Sequence, residues 1–496
     1  MTARAIMLQG TGSDVGKSVL VAGLCRAARQ MGLRVAPFKP QNMSNNAHAC
    51  ADGGEIGRAQ AVQARAAGIE PTVDLNPVLL KPETDRTAQV VVHGAVRARQ
   101  EAAAYIHGRD TLLPDVLASF ARLSMHYDLI LVEGAGSPAE INLRARDIAN
   151  MGFARAAGVP VCMIGDIDRG GVIAALVGTQ RVLDPADAAH IQSFLINKFR
   201  GDPTLFDDGI RAIERQTGWS CRGVLPWLAS PSRLPAEDAV VLEQAPPRSA
   251  GRMKIVAPMF SRLANFDDVD PLRLDPAVSF EFIPPGQPLP RDAGAILLLG
   301  TKSTMADLAF LRAQGWDHDI HAHARNGGLV MGICGGYQML GKTIHDPDKV
   351  DGNTVEAAGL GLLDISTRMT ASKQVRPVEA TCAASGSKLS AYEIHLGEST
   401  GADTARPLFS VDQASDGAQS LSGRVQGTYL HGIFSNDAYR ARWLGQLRGG
   451  HVSTGAYQDI VEAALDELAS QMREHCDVPA LLDSAKPVGW QPSTAA

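Results

Sequence analysis

At 496 residues the chain is long enough for about three domains of ~150 residues each. It carries 45% apolar and 20% charged residues and a formal net charge of -6. A single small module is therefore excluded, and no run approaches the ~18 uninterrupted apolar residues that a membrane span requires. Scattered Lys and Arg on an acidic chain argue against nucleic acid as a partner and point to small molecules. The cysteines (25, 50, 162, 221, 334, 382, 476) are odd in number and widely spaced, with no C-x-x-C pair. That pattern predicts reduced thiols in a cytoplasmic protein, not a disulfide framework or a zinc ribbon. The start, MTARAIMLQGTG, has no apolar stretch long enough for a signal peptide.

In chain order, AIMLQG leads into a helix from Lys17, RVAPFK follows, and LILVEG, VPVCMIG and FLINKF come later. Short β-rich runs alternating with helical patterns predict a parallel sheet with crossover helices over residues 1–230. Across SPSRLPAEDAVVLEQAPPRSAGR the periodicity fades, which places a linker at 231–252. A second α/β series follows over 253–440: KIVAP, VSFEFI, AILLLG and GLVMGI, the last passing into a helix near Gly335. Residues 441–496 read as closing helices and a frayed tail.

The loop Gly10, Thr11, Gly12, Ser13, Asp14, Val15, Gly16, Lys17, Ser18 stands between a predicted strand and a predicted helix. Such a loop aims backbone N–H groups and a positive helix end at phosphate oxygens, with Lys17 on the β/γ-phosphates and Ser18 available to Mg²⁺. The strict G-x-x-x-x-G-K-[ST] template wants glycine at Thr11. Glu133 ends the strand YDLILVEG, where a carboxylate either orients Mg²⁺ or is a solvated loop acid. Asp166 and Asp168 end another strand and serve either a metal or acidic substrate, or as helix caps. Asn197, in FLINKF, is a candidate reader of the purine edge. Between Phe38 and Ala66 the chain is rich in amides and hydroxyls. Gln41, Asn42, Ser44, Asn45, Asn46, Arg58 and Gln60 bind a large polar ligand on one reading and form a solvated face on the other; Glu55, Gln63, Lys81, Asp85 and Gln89 share that style.

In GLVMGICGGYQML an apolar run ends at Ile333, and Cys334 precedes Gly335 and Gly336. This reads as a nucleophile elbow: sulfur at a helix N-terminus, with N–H groups for an oxyanion. The remaining cysteines lack this setting and read as small buried hydrophobes. A thiolate nucleophile needs a base. His431, in VQGTYLHGIF, is preferred over its competitor His395 because glycines flank its strand. Gly300, ending AILLLG, is the second oxyanion donor beside Gly335.

GICGGYQML followed by YLHGIF resembles the class I glutamine amidotransferase domain in its cobalamin-pathway branch, and GTGSDVGKS followed by VEGAG resembles the ATP-binding domain of the dethiobiotin synthetase superfamily. With FKPQNMSNNA, GEIGRAQAVQA and NPVLLKP between them, the resemblance to the cobalamin-pathway amide synthases spans residue 5 to about 440. Gly10 and Gly12 flanking Thr11 are what the superfamily shows. The resemblance implies a P-loop-type parallel-sheet ATPase domain followed by a flavodoxin-like amidotransferase domain. It implies ATP, Mg²⁺ and glutamine as nitrogen donor, with a corrinoid acceptor, adenosylcobyrinic acid a,c-diamide, amidated at its b, d, e and g carboxylates to adenosylcobyric acid. A homo-oligomer is compatible with it. Where most class I domains carry an acid two residues after the histidine, this chain has Ile433, so a Cys–His dyad is expected, with Glu393 as a candidate orienter. The alternatives are the sister a,c-diamide synthase, which FKPQNMSNNA and GSDVGKS disfavour, and a partition-type nucleotide switch, which has no use for a cysteine elbow.

Overall fold

The computed structural model describes residues 3–237, 252–450, 452 and 454–489. The expected linker lies mostly outside them, as does the end of the tail from residue 490. The chain forms two compact units, and neither is continuous in sequence. Unit one comprises Met1–Met43, Glu55–Pro235 and Val461–Ala496; unit two comprises Ser44–Gly54 and Ala236–Ile460.

The sheet of unit one runs Ser220–Pro226, Ile191–Phe199, Val161–Asp166, Arg4–Gly10, Leu129–Glu133, Val35–Phe38, these six parallel, and Lys486–Pro487 pairs antiparallel with Arg4–Gly10. Runs such as Leu129–Val132 and Val161–Ile164 are buried end to end, as a sheet covered by helices on both faces demands. The strand Arg4–Gly10 sits where chain order reverses, so its carboxyl end is the switch point at which open α/β sheets bind ligands. A further sheet of Gln41–Met43, Val78–Pro82, Thr87–Val92 and Ala95–Glu101 was not anticipated from periodicity. From Val461 onward the closing helix packs on Lys17–Gln30. Arg26 bonds Glu462 and Asp466, each at 2.7 Å, and Gly23 leaves room for Leu468 and Met472.

In unit two the strands run Val278–Ile283, Met253–Pro258, Ala295–Leu298, Leu329–Ile333, Val425–Thr428, Ala418–Gln419, parallel except for the last. A separate antiparallel sheet of Ala414–Asp416, Phe409–Val411, Gln374–Cys382, Lys388–His395 and Leu430–His431 brings His431 opposite Tyr392. Among the described residues, no helix is long and apolar enough to cross a membrane.

The helix after Cys334 lies so close to the strand Ala295–Leu298 that a Cβ on Gly336 would fall 1.9 Å from the Leu298 carbonyl oxygen. Gly336→Ala is expected to lower unfolding free energy by about 1–3 kcal/mol or more. Gly178→Ala, on the helix Val172–Val182 where nothing lies within 4 Å, should raise it by up to about 1 kcal/mol. Denaturant titration of both variants against the parent chain checks this.

Candidate active sites

In unit one the loop from Gly10 to Ser18 links strand to helix as its spacing predicts, with Gly16 in the left-handed region (φ 95°) just before the helix Lys17–Gln30. Gly10 is required by Val15, whose side chain would sit 2.5 Å from an added Cβ, whereas Gly12 has nothing within 4 Å and leaves the backbone open to a ligand. Thr11 anchors the loop by donating its N–H to Ile164 O (3.0 Å). Lys17 Nζ donates to the carbonyls of Gly12 (2.9 Å) and Gly136 (3.1 Å). Ser13 and Asp14 are exposed at the loop's tip. Asn197, expected at the purine edge, donates its side-chain amide to Val15 O (2.8 Å), and Lys198 Nζ bonds both Asp14 O (2.5 Å) and Asp166 (2.8 Å). These neighbours engage the Val15 and Asp14 carbonyls of the loop.

Glu133 is fully buried, not a solvated loop acid. Its Oε1 accepts from Ser18 Oγ and Lys39 Nζ, both at 2.7 Å; its Oε2 accepts from Gln63 Nε2 (2.6 Å) and Gln60 Nε2 (3.4 Å). A hydroxyl that donates its proton to a carboxylate keeps its lone pairs for a hard cation, so Ser18 fits Mg²⁺, while both oxygens of Glu133 are engaged in holding Ser18 and its neighbours. Lys39 escaped the sequence reading, since a lone lysine after a strand carries no local signal.

The amide-rich segment is not the solvated face that one of its two readings expects. Its side chains are largely buried and bonded to one another. Asn42 donates to Gln60 (2.8 Å), Gln41 accepts from Tyr105 Oη (2.6 Å), and Arg58 is buried at the start of the helix Arg58–Ala67. Ser44, Asn45 and Asn46 belong to unit two. Ser44 Oγ and Asn46 Nδ2 donate to Glu237 O, each at 3.3 Å, and the carbonyl oxygens of the Asn45 and Asn46 side chains are buried without a partner among the described residues. Asp166 bonds Lys198, and Asp168 bonds Arg200 Nε at 2.7 Å.

In unit two Cys334 occupies a turn with φ 53° and ψ -113°, a conformation that a non-glycine residue adopts only under strong local constraint. The strand Leu329–Ile333 precedes it and the helix Gly335–Leu340 follows. Its own N–H is bonded to Thr428 O (2.9 Å), so the N–H groups free for an oxyanion are those opening the helix, beginning at Gly335. The sulfur contacts Ile394 O at 3.4 Å and lies close enough to His431 to help raise the proton affinity of its imidazole. Gly300 lies against the imidazole, where an added Cβ would be 3.2 Å from His431 Cε1.

The expected dyad is corrected here. Asp268 Oδ2 lies 2.7 Å from His431 Nδ1, and Asp268 Oδ1 accepts the Gly432 N–H at 2.7 Å. Glu393, the suggested orienter, is bonded to Arg376 (2.6 Å) and faces His395. The rival base His395 stacks on Tyr429, with ring centroids 4.0 Å apart. Asp268 stands 163 positions from His431, a separation that no motif spacing encodes. Burial alone would push His431 down; the charge and hydrogen bond of Asp268, aided by Cys334, override it and push the imidazole up to about 10.

A phosphate loop in one unit and a cysteine elbow with a histidine–aspartate pair in the other define a glutamine amidotransferase joined to a nucleotide-binding domain. Residues 254–439 match the CobB/CobQ-like glutamine amidotransferase domain, and 6–241 match the CobQ/CobB/MinD/ParA nucleotide binding domain. The chain is 64% identical over 491 residues to the cobyric acid synthase of Hyphomonas neptunium, covering 99% of each. It is 59% identical to that of Paracoccus denitrificans, covering 97% of this chain and all of the relative, and 58% identical to that of Novosphingobium aromaticivorans, covering 96% of each. The chain belongs to the cobyric acid synthase family.

Because the folded state raises His431 above its ordinary 6.5, protonation favours folding; the contribution is complete below 6.5 and disappears as pH rises through about 10. Unfolding free energy is expected to fall by about 1 kcal/mol per pH unit across that window from this group. Asp268→Asn should flatten the slope. Denaturant titrations at several pH values read both.

Proposed function

We propose that the chain amidates the b, d, e and g carboxylates of adenosylcobyrinic acid a,c-diamide to adenosylcobyric acid, using ATP and the amide nitrogen of glutamine. The observation that carries this reading is the coexistence, in one chain, of a phosphate loop whose Ser18 bonds the buried Glu133 and a cysteine elbow with its own base. A bare carboxylate does not accept ammonia, so it first attacks the γ-phosphorus of ATP, releasing ADP and forming an acyl phosphate. Lys17 neutralises the phosphoryl charge. Ser18, with Glu133 behind it, would hold Mg²⁺, which would supply further neutralisation of phosphoryl charge.

In unit two His431 takes the thiol proton of Cys334, and the sulfur attacks the carboxamide carbon of glutamine. N–H groups at Gly335 and Gly300 hold the oxyanion, and Asp268 holds the imidazolium in place. The proton passes to the departing nitrogen, giving ammonia and a γ-glutamyl thioester. Water then cleaves the thioester to glutamate and free thiol. Ammonia displaces phosphate from the acyl phosphate to give the amide. Among the described residues no cysteine is in a disulfide, which suits a reducing, cytoplasmic setting.

Cys334→Ala is expected to abolish glutamate formation from glutamine while leaving amidation driven by added ammonium salt. Lys17→Ala should abolish both ammonia- and glutamine-driven amidation while glutaminase activity persists. Mass spectrometry of the corrinoid product distinguishes four added amides from the two that a diamide synthase would install. Glutaminase activity that survived Cys334→Ala, or amidation that survived Lys17→Ala, would contradict these roles.

A further inference from the structure

In unit two the chain passes between the two sheets twice within a short stretch of sequence. On the way out, the strand Ala414–Asp416 of the antiparallel sheet is followed by Gly417 and then by Ala418–Gln419, which pairs with Val425–Thr428. On the way back, Thr428 ends the parallel pairing with Ile333, and Leu430–His431 joins the antiparallel sheet opposite Tyr392 and Glu393. The two passages lie side by side: Gly417 takes φ 77°, and an added Cβ there would fall 2.4 Å from the Gly427 carbonyl oxygen. Asp416 ties them together. Its Oδ2 accepts the Thr428 hydroxyl and its Oδ1 accepts the Tyr429 N–H (3.3 Å), while the Leu430 N–H donates to Thr428 Oγ1 (3.0 Å). Three consecutive residues of the returning passage, Thr428, Tyr429 and Leu430, are thus set by one carboxylate, directly or through the hydroxyl it holds.

The returning passage touches both partners of the thiol chemistry. The carbonyl of Thr428, a fully buried residue, accepts the Cys334 N–H at 2.9 Å. Cys334 sits at φ 53° and ψ -113°, and a side-chain-bearing residue stays in such a conformation only where its surroundings over-determine it. His431 follows Thr428 in the segment TYLH. The imidazole is oriented by other elements: Asp268 meets Nδ1, and the Tyr392 ring lies flat against it, with centroids 5.1 Å and planes 13° apart. Tyr392 Oη in turn accepts from the buried Asn265 Nδ2 at 2.9 Å. These contacts reach the base from the turn Phe266–Val269 and the strand Lys388–His395, whereas the link between base and nucleophile runs through Thr428, by its hydrogen bond to Cys334 and by the chain to His431. Asp416 fixes the residue at which those two links meet. A misplacement of about 1 Å between reacting groups costs on the order of 100-fold in rate.

We infer that Asp416 is a positioning residue for glutamine hydrolysis: by clamping Thr428 and Tyr429 where the chain changes sheets, it sets the placement of His431 relative to Cys334. This rests on the roles given to Cys334 and His431 above. Two quantities are measured on the full-length chain: kcat and KM for glutamate release from glutamine, and the rate at which iodoacetamide alkylates Cys334, followed by mass spectrometry of its peptide. Thr428→Val keeps the branched shape and removes only the hydroxyl, while Thr428→Ser keeps the hydroxyl. In Asp416→Ala kcat should fall about 100-fold, and in Thr428→Val about 10-fold, with KM within about 3-fold of the parent. Alkylation of Cys334 should slow in the same order, and Thr428→Ser should recover most of what Thr428→Val loses. Should Asp416→Ala not fold, the two Thr428 variants decide. A purely structural role would reduce the amount of folded enzyme and leave Cys334 in the folded fraction as reactive as in the parent. Parental kcat and alkylation rate in Thr428→Val, equal losses in Thr428→Val and Thr428→Ser, or a raised KM with kcat unchanged overturns the inference. Glutamine hydrolysis that persists in Cys334→Ala overturns instead the assignment of the nucleophile on which it rests.

Discussion

An imidazole at 2% exposure can carry a proton only if a carboxylate meets it in the same dry environment, and unit two is built around that pairing. Asp268, itself completely buried, divides its two oxygens between His431 Nδ1 and the Gly432 N–H, which fixes both the ring and the backbone just beyond it. The tautomer follows: with Nδ1 facing the acid, Nε2 is the nitrogen left for the sulfur. Removing the carboxylate would leave an imidazole that burial drives toward neutrality. The strained turn at Cys334, the stacked Tyr392 and the close approach of Gly300 all presuppose an imidazole that does not move.

The same device appears in unit one with different partners. Glu133, also fully buried, accepts from Ser18, Lys39, Gln60 and Gln63, so the hydroxyl beside the phosphate loop is held by its proton. In both units a buried acid acts through a neighbour that it orients. The two acids differ in what they gather: one raises the proton affinity of a base, and the other collects a hydroxyl, an ammonium and two amides.

The parts of this arrangement that the sequence made legible are those encoded within a few residues. The apolar runs ending in Gly10, Glu133, Asp166 and Ile333 became parallel strands because a two-sided buried strand needs uninterrupted apolar residues, and glycines mark where each strand turns into a helix. Lys17, Ser18 and Cys334 stand just beyond such ends, and His431 follows shortly after the parallel strand Val425–Thr428. Asp268, Asn265, Tyr392 and Lys39 act only after folding has closed long loops, and their local surroundings carry no distinguishing period. The short strands between Thr343 and Gln419 escaped for a related reason: three-residue pairings with mixed polarity do not rise above loop patterning. The solvated-face reading of the segment from Phe38 to Ala66 failed because buried side-chain amides that bond one another have the same composition as a wet surface.

The central claim is that nitrogen freed at Cys334 in one unit becomes the amide formed at the phosphate-loop unit. The most direct test is to supply glutamine carrying heavy nitrogen only in its side-chain amide, together with ATP, the a,c-diamide and a comparable concentration of unlabelled ammonium, and to read the isotope in the corrinoid amides by mass spectrometry. The account predicts product amides dominated by the heavy isotope at neutral pH, where little of the added ammonium is free ammonia. Amides with the isotope composition of the bulk ammonium, or labelled amides made equally well by Cys334→Ala, would contradict it.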